Sequence, residues 1–221
     1  MESTSSRVLS NSLFIYAGRV ANLVINFFIF VYLANYLGES AFGRLSIAIA
    51  YVGTFDIIAN FGLNQILVRE LSGGRMAQGA LLGNAILFKL VLTLLAILVA
   101  LALLPLMSYP AEVMTIICII AVDLLISSKL SSTRTIFESI FQAKLRMAFP
   151  IACNMLDNLI FAGLILTAVF FFRIGLMTVA VLYVVCYLPG TIWLIWRFLR
   201  THEVAWKPQG EILKELLRET L

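Results

Sequence analysis

Residues 11–38 read NSLFIYAGRVANLVINFFIFVYLANYLG, an apolar run interrupted near its start by Arg19. A helix of about 20 apolar residues spans the hydrocarbon layer of a bilayer, and this run exceeds that. A charge inside such a helix costs about 3 kcal/mol on insertion scales, so Arg19 is expected to face a protein interior or a watery cavity. Asn22 and Asn26 follow Arg19 at steps of three and four, which puts the three on one helix face, opposite a wall of Phe, Ile and Val.

The remaining chain repeats that pattern. Hydrophobic residues make up 62% of the 221, charged residues 13%, and mean hydropathy is +1.00, well outside the range of soluble domains. The apolar residues come in membrane-length runs, which sets aside an unusually apolar soluble bundle. The expected fold is therefore all-α, a polytopic transmembrane bundle of six helices. They run at about 12–37, 41–63, 80–107, 111–130, 149–172 and from the turn at Gly175 to Arg200. Residues 1–11 form a polar leader, 12–200 the six-helix lobe and 201–221 an amphipathic segment. The first run is too long for a signal-peptide core, so the first helix is expected to stay attached.

Several function classes fall away on composition. The net charge of +4 comes from basic residues beside apolar runs rather than along one soluble face, which argues against nucleic acid. Cys118, Cys153 and Cys186 are far apart inside apolar segments and read as small packing residues. His202 is the only histidine, which leaves no His/Cys set for a metal. No catalytic group and no cofactor site is expected.

The connectors carry further expectations. Residues 64–79 read as a polar bend, and Gly79 with Gly83 as a small pair that lets helices approach. In 131–148, SSTRTIFESIFQAKLRMA, the stripe Ile136, Phe137, Ile140, Phe141 and Leu145 lies beside Arg134, Lys144 and Arg146, as in an interfacial amphipathic helix. Residues 90–104 are expected to face lipid. Pro189 and Gly190 lie inside the last helix and predict a static kink.

Basic residues divide unequally between alternate connectors: twelve of the sixteen fall on one side, and Arg44 and Arg173 on the other. The excess marks the cytoplasmic side, so both termini are expected there, in a cell membrane. Five charges then share a depth. Arg19, Asp56, Lys89, Asp123 and Asp157 lie roughly 10–14 Å from the cytoplasmic ends of five helices, at about 1.5 Å per residue. Against lipid they would cost about 15 kcal/mol together, so a shared interior is expected. Two roles stay open for that interior, a substrate or ion path and a buried ion-pair network. Lys89 is either a site residue or a lysine snorkelling to the near interface. The asparagines suit interhelical hydrogen bonds.

Residues 32–71, YLANYLGESAFGRLSIAIAYVGTFDIIANFGLNQILVREL, with the link YLGESAFGRLS, the stretch from Asp56 to Gly62 and FQAKLRM at 141–147, resemble the polysaccharide-transport family. These are the O-antigen flippases of the multidrug, oligosaccharidyl-lipid and polysaccharide exporter superfamily. The resemblance implies one lobe of a two-lobed protein with a cationic central cavity, which moves a polyprenyl-pyrophosphate-linked glycan across the membrane. It implies that Arg19 and Lys89, with Asn22 and Asn26, meet that lipid-linked substrate. Asp56, Asp123 and Asp157 would balance charge or bind a coupling ion. The family continues past the equivalent of GEILKELLRETL into a seventh helix, so a second transmembrane lobe is expected as remainder, self-dimer or partner chain. A drug or cation exporter of the same superfamily, with a carboxylate-lined cavity, and a non-transporting membrane scaffold are the rival readings.

Overall fold

A straight helix of 57 residues would be about 85 Å long, nearly three hydrocarbon layers, and the first helix, α1 (Thr4–Asn60), has that many residues. It is folded at Gly38, whose φ of 76° and ψ of 167° suit a residue without a Cβ. Phe30 and Phe42, which would stand about 18 Å apart along one helix, have ring centroids 6.1 Å apart. The link 38–43 therefore reverses the chain, as its paired glycines predict. The structure, a computed structural model, describes residues 4–60, 62–73, 78–126, 133–144, 147–202, 204–207, 209, 210, 212, 214, 216 and 218, with residues 4–15 and 58 described by backbone alone.

Helix starts earlier than expected, at Thr4, so much of the polar leader is part of α1. The predicted bend after Gly62 is a correction too: α2 (Leu63–Gly73) is a helix that buries Leu63, Ile66, Leu67, Glu70 and Leu71. Those positions recur at steps of three and four, an amphipathic signal that Arg69 and Glu70 obscured. α3 (Gln78–Leu103) ends in the 3-10 turn Leu104–Met107, and Ser108 takes a left-handed φ of 50°. α4 (Ala111–Ala121) and α5 (Asp123–Ile126) form one helix interrupted at Val122. The amphipathic α6 (Arg134–Ala143) leads to α7 (Ala148–Phe172). Arg173, at φ 45°, turns the chain into α8 (Leu176–Val185) and then α9 (Leu188–Thr201). The break between these two lies just before Pro189, which gives the last helix its expected kink.

Tyr16–Ile57, Gln78–Met107, Ala148–Phe172 and Leu176–Thr201 are long and apolar enough to cross a membrane. The first supplies two helices because of Gly38, and α4 with α5 supplies the sixth. The protein is thus an all-α, six-helix transmembrane lobe. One core joins both arms of α1 to α4, α7 and α8, around Leu33, Leu45, Ile116, Phe161 and Val179. Another sits at the connector-rich end, where α2, α6 and the ends of α3 and α9 enclose Leu67, Leu81, Ile140 and Phe198. Apolar side chains cover much of the outside, and α3 shows why: Val91, Leu95 and Leu98 are exposed while Thr93, Ala96 and Ala100 are buried. Only one face of 90–104 is therefore directed outward, in place of the whole segment.

Gly79 and Gly83 do not receive a helix. The segment after α9 lies across them, with Ala205 N–H donating to the Gly79 carbonyl at 3.0 Å, and a Cβ at Gly83 would run into the Ala205 carbonyl. Buried Asn84 holds the same segment from both sides, donating to the Lys207 carbonyl at 3.4 Å and accepting from Gln209 N–H at 2.8 Å.

Candidate functional site

The break before α9 exposes the first-turn N–H groups of a helix inside the lobe, and Tyr187 at its N-cap supplies no side-chain cap. Pro189 suits this position because it lacks the N–H that would need a partner. Asp157, on α7, supplies the acceptor: its Oδ1 takes the Gly190 N–H at 2.7 Å. A carboxylate is favoured there because the positive end of the helix dipole faces it. Oδ2 accepts from Arg134 Nη1 at 2.5 Å, and neither side chain of that pair is exposed at all. The same Nη1 reaches Thr191 Oγ1 at 3.1 Å, and the Thr191 hydroxyl donates to the Ile126 carbonyl at 2.8 Å. Arg134 Nε completes the set with Glu138 Oε1 at 3.2 Å. One buried network thus fastens α5, α6, α7 and α9 together.

Arg134 was expected beside the apolar stripe of an interfacial helix, and the structure corrects this. α6 packs against α2 and α9 with Ile136, Phe137 and Ile140 inward, and Arg134 points inward with them; Leu145 and Arg146 lie outside the described residues. A cue was present in the sequence. Arg134 and Glu138, four apart, share a face of the same amphipathic helix.

A second network joins α1 to α3. Lys89 Nζ donates to the Ala59 carbonyl at 2.9 Å and to Asn60 Oδ1 at 2.6 Å, and Asn60 Nδ2 donates to Asp56 Oδ2 at 3.0 Å. Lys89 is only 1% exposed, so it does not snorkel to an interface. Asp56 Oδ1 is buried with no hydrogen-bond partner among the described residues.

Asn22 and Asn158 form an interhelical bond between α1 and α7, with Asn158 Nδ2 donating to Asn22 Oδ1 at 2.8 Å. Tyr187 Oη donates to Asn158 Oδ1 at 3.2 Å. Asn26 instead donates within its own helix, to the Asn22 carbonyl at 2.8 Å. Asp123 is fully buried and close enough to Tyr183 and Tyr187 to act on both electrostatically.

The five charges therefore do not share one interior. Asp157 and the Asp56–Lys89 pair belong to separate networks, and Asp123 lies near Tyr183 and near Tyr187, which also feels the charge of Asp157. Arg19 is exposed, with no ion-pair partner among the described residues. Its neighbours Tyr16, Val20 and Leu23 are exposed too, so it sits on an outer face of the lobe. Among the described residues no group of three His, Cys, Asp or Glu side chains could hold a metal.

The family described as "Polysaccharide biosynthesis protein" matches residues 8–221, almost the whole chain. The chain belongs to this family. Curated protein sequences offer no match to the chain. Among solved structures it is similar to the Vibrio cholerae MATE transporter VcmN in its bent form, with a TM-score of 0.71 at 16% identity over 97% of this chain and 50% of that one. It is also similar to a MATE protein in complex with MaD5, with a TM-score of 0.64 at 16% identity over 96% of this chain and 52% of that one. At that identity the likeness is one of fold. The chain spans about half the length of the solved structures it matches, the size of one lobe.

Proposed function

We propose that this lobe belongs to a membrane translocase for a polyprenyl-pyrophosphate-linked oligosaccharide or polysaccharide precursor. Family membership supports export across a membrane, and the position of Arg19 carries the choice of an anionic, lipid-linked substrate. A cavity between two lobes is lined by residues that stand on the surface of either lobe alone. Arg19 meets that condition: it is exposed, and no described carboxylate neutralises it. Its planar fork suits two oxygens of a pyrophosphate. Half-buried Asn22 and Asn26 flank it and offer further polar contact with the glycan.

The other expected residues take different parts. Lys89 is committed to Asn60 and the Ala59 carbonyl, so it reaches substrate only if those bonds are exchanged. Asp56, whose Oδ1 has no hydrogen-bond partner among the described residues, is the candidate for a coupling ion, while Asp157 balances Arg134. A cation exporter is disfavoured because Asp56, Asp123 and Asp157 are all buried within the lobe, where they present no carboxylate to a neighbouring cavity. A second transmembrane lobe completes the cavity, in a cell membrane with both termini of this chain cytoplasmic.

The test is reconstitution. Proteoliposomes holding the protein together with its second lobe should flip a labelled polyprenyl-pyrophosphate sugar, read as protection from a membrane-impermeant quencher. Transport of an organic cation with no movement of the lipid-linked sugar would overturn the assignment.

A further inference from the structure

At the connector-rich end, α6 finishes, α7 begins and α9 finishes within one small notch of about 260 Å³. Lys144, Arg197 and His202 line it, against the rings of Phe141 and Phe149. We propose that this notch binds the phosphate of an anionic phospholipid headgroup from the surrounding bilayer, a site separate from the translocation cavity.

Hydrogen-bond roles come first. Lys144 Nζ lies 2.9 Å from His202 Nε2, and a lysine ammonium has nothing but protons to offer, so Nε2 is the acceptor and the imidazole is neutral. The ring proton then sits on Nδ1, 2.8 Å from Thr201 Oγ1 and 3.4 Å from the Phe198 carbonyl. His202 therefore aims the ammonium while leaving two of its protons unused. Arg197 lies with its guanidinium carbon 4.8 Å from the centre of the Phe149 ring, which holds the cation at the notch. Neither Lys144 nor Arg197 is paired with a carboxylate among the described residues.

Depth selects the source of the anion. The apolar spans Ala148–Phe172 and Leu176–Thr201 begin and end at this notch, so Phe149 and Thr201 mark the edge of the hydrocarbon layer, where headgroup phosphates lie. Trp193 and Trp196, exposed on α9, are of the type that settles at that level. Basic side chains at a membrane edge attract anionic lipid, and a lipid would also cover Phe141 and Phe149, which a free phosphate would leave against water.

The experiment uses the protein in nanodiscs of phosphatidylcholine, with and without phosphatidylglycerol, and counts retained lipids by native mass spectrometry. The expected result is selective retention of phosphatidylglycerol by the wild type. The pair Lys144→Gln with Arg197→Gln should weaken it roughly thirtyfold, at about fivefold per basic residue near the surface. Arg200→Gln removes one charge from outside the notch, where Arg200 stacks on Trp196 at 4.2 Å, and should retain the lipid, while Lys144→Gln alone removes one charge from within it and should lose about fivefold. An unchanged lipid count in the double variant, or equal loss in Arg200→Gln, would overturn the site. Inorganic phosphate or pyrophosphate displacing the lipid at comparable concentration would overturn the headgroup assignment. The signal of the single histidine supplies a readout independent of folding: it should move when phosphatidylglycerol replaces phosphatidylcholine, and a static signal contradicts the proposal.

Discussion

The Asp157 carboxylate caps the backbone N–H of Gly190 at 2.7 Å, across the break in the last transmembrane helix. One acid thereby satisfies a helix start and neutralises Arg134. The kink is consequently held by side chains as well as by Pro189.

Gly190→Ala should be strongly destabilising, because a Cβ there would collide with that carboxylate. Overpacking of this kind costs about 1–3 kcal/mol. Gly163→Ala is the control: nothing lies near its Cβ position, so it should be neutral or gain up to about 1 kcal/mol from helix propensity. Thermal stability in detergent is the measurement. Equal behaviour of the two variants would contradict the tight approach.

Arg134→Gln or Asp157→Asn alone should lower stability by about 3–5 kcal/mol, because each leaves the other charge buried and uncompensated. Together they should cost much less than the sum, since the asparagine oxygen still accepts from Gly190. Additive losses would show that the pair is not coupled.

Legibility in the sequence followed the type of signal. The six apolar runs were readable because lipid tolerates little else, and the reversal at Gly38 was readable from its glycines. α2 was missed because its apolar stripe is short and flanked by charges. Shared depth located the charged residues along the membrane normal but said nothing of azimuth, the direction in which each points around its helix. Arg19 and Lys89 illustrate the loss, one exposed and the other sealed against Asn60. Arg134 was misassigned for a related reason: a connector cation reads as solvated until the tertiary fold turns it inward.

Acid should weaken the connector-rich end. Burial first, and then the charge of Lys144, hold the His202 imidazole below its usual range. The unfolded chain therefore takes up a proton more readily than the folded one, and stability falls as pH drops through about 6.5 while staying flat above it. His202→Gln should remove that part of the acid sensitivity. Identical pH profiles for the two proteins would contradict it.

Orientation is open to labelling in a background without Cys118, Cys153 and Cys186. Ser108 and Gln142 are both exposed and lie at opposite ends of the lobe. The basic asymmetry predicts that an impermeant thiol reagent reaches Ser108→Cys from outside intact cells and spares Gln142→Cys. The reverse pattern would invert the topology.

Arg19 decides between a transporting face and an inert one. The most direct measurement is surface-glycan assembly alongside membrane abundance, for Arg19→Lys and Arg19→Ala, in cells that carry the complete transporter. Arg19 is exposed and unpaired among the described residues, so both variants should reach wild-type abundance. Arg19→Lys keeps the charge but loses the fork and should assemble less glycan, and Arg19→Ala should assemble least. Full glycan assembly from well-expressed Arg19→Ala protein would contradict the account.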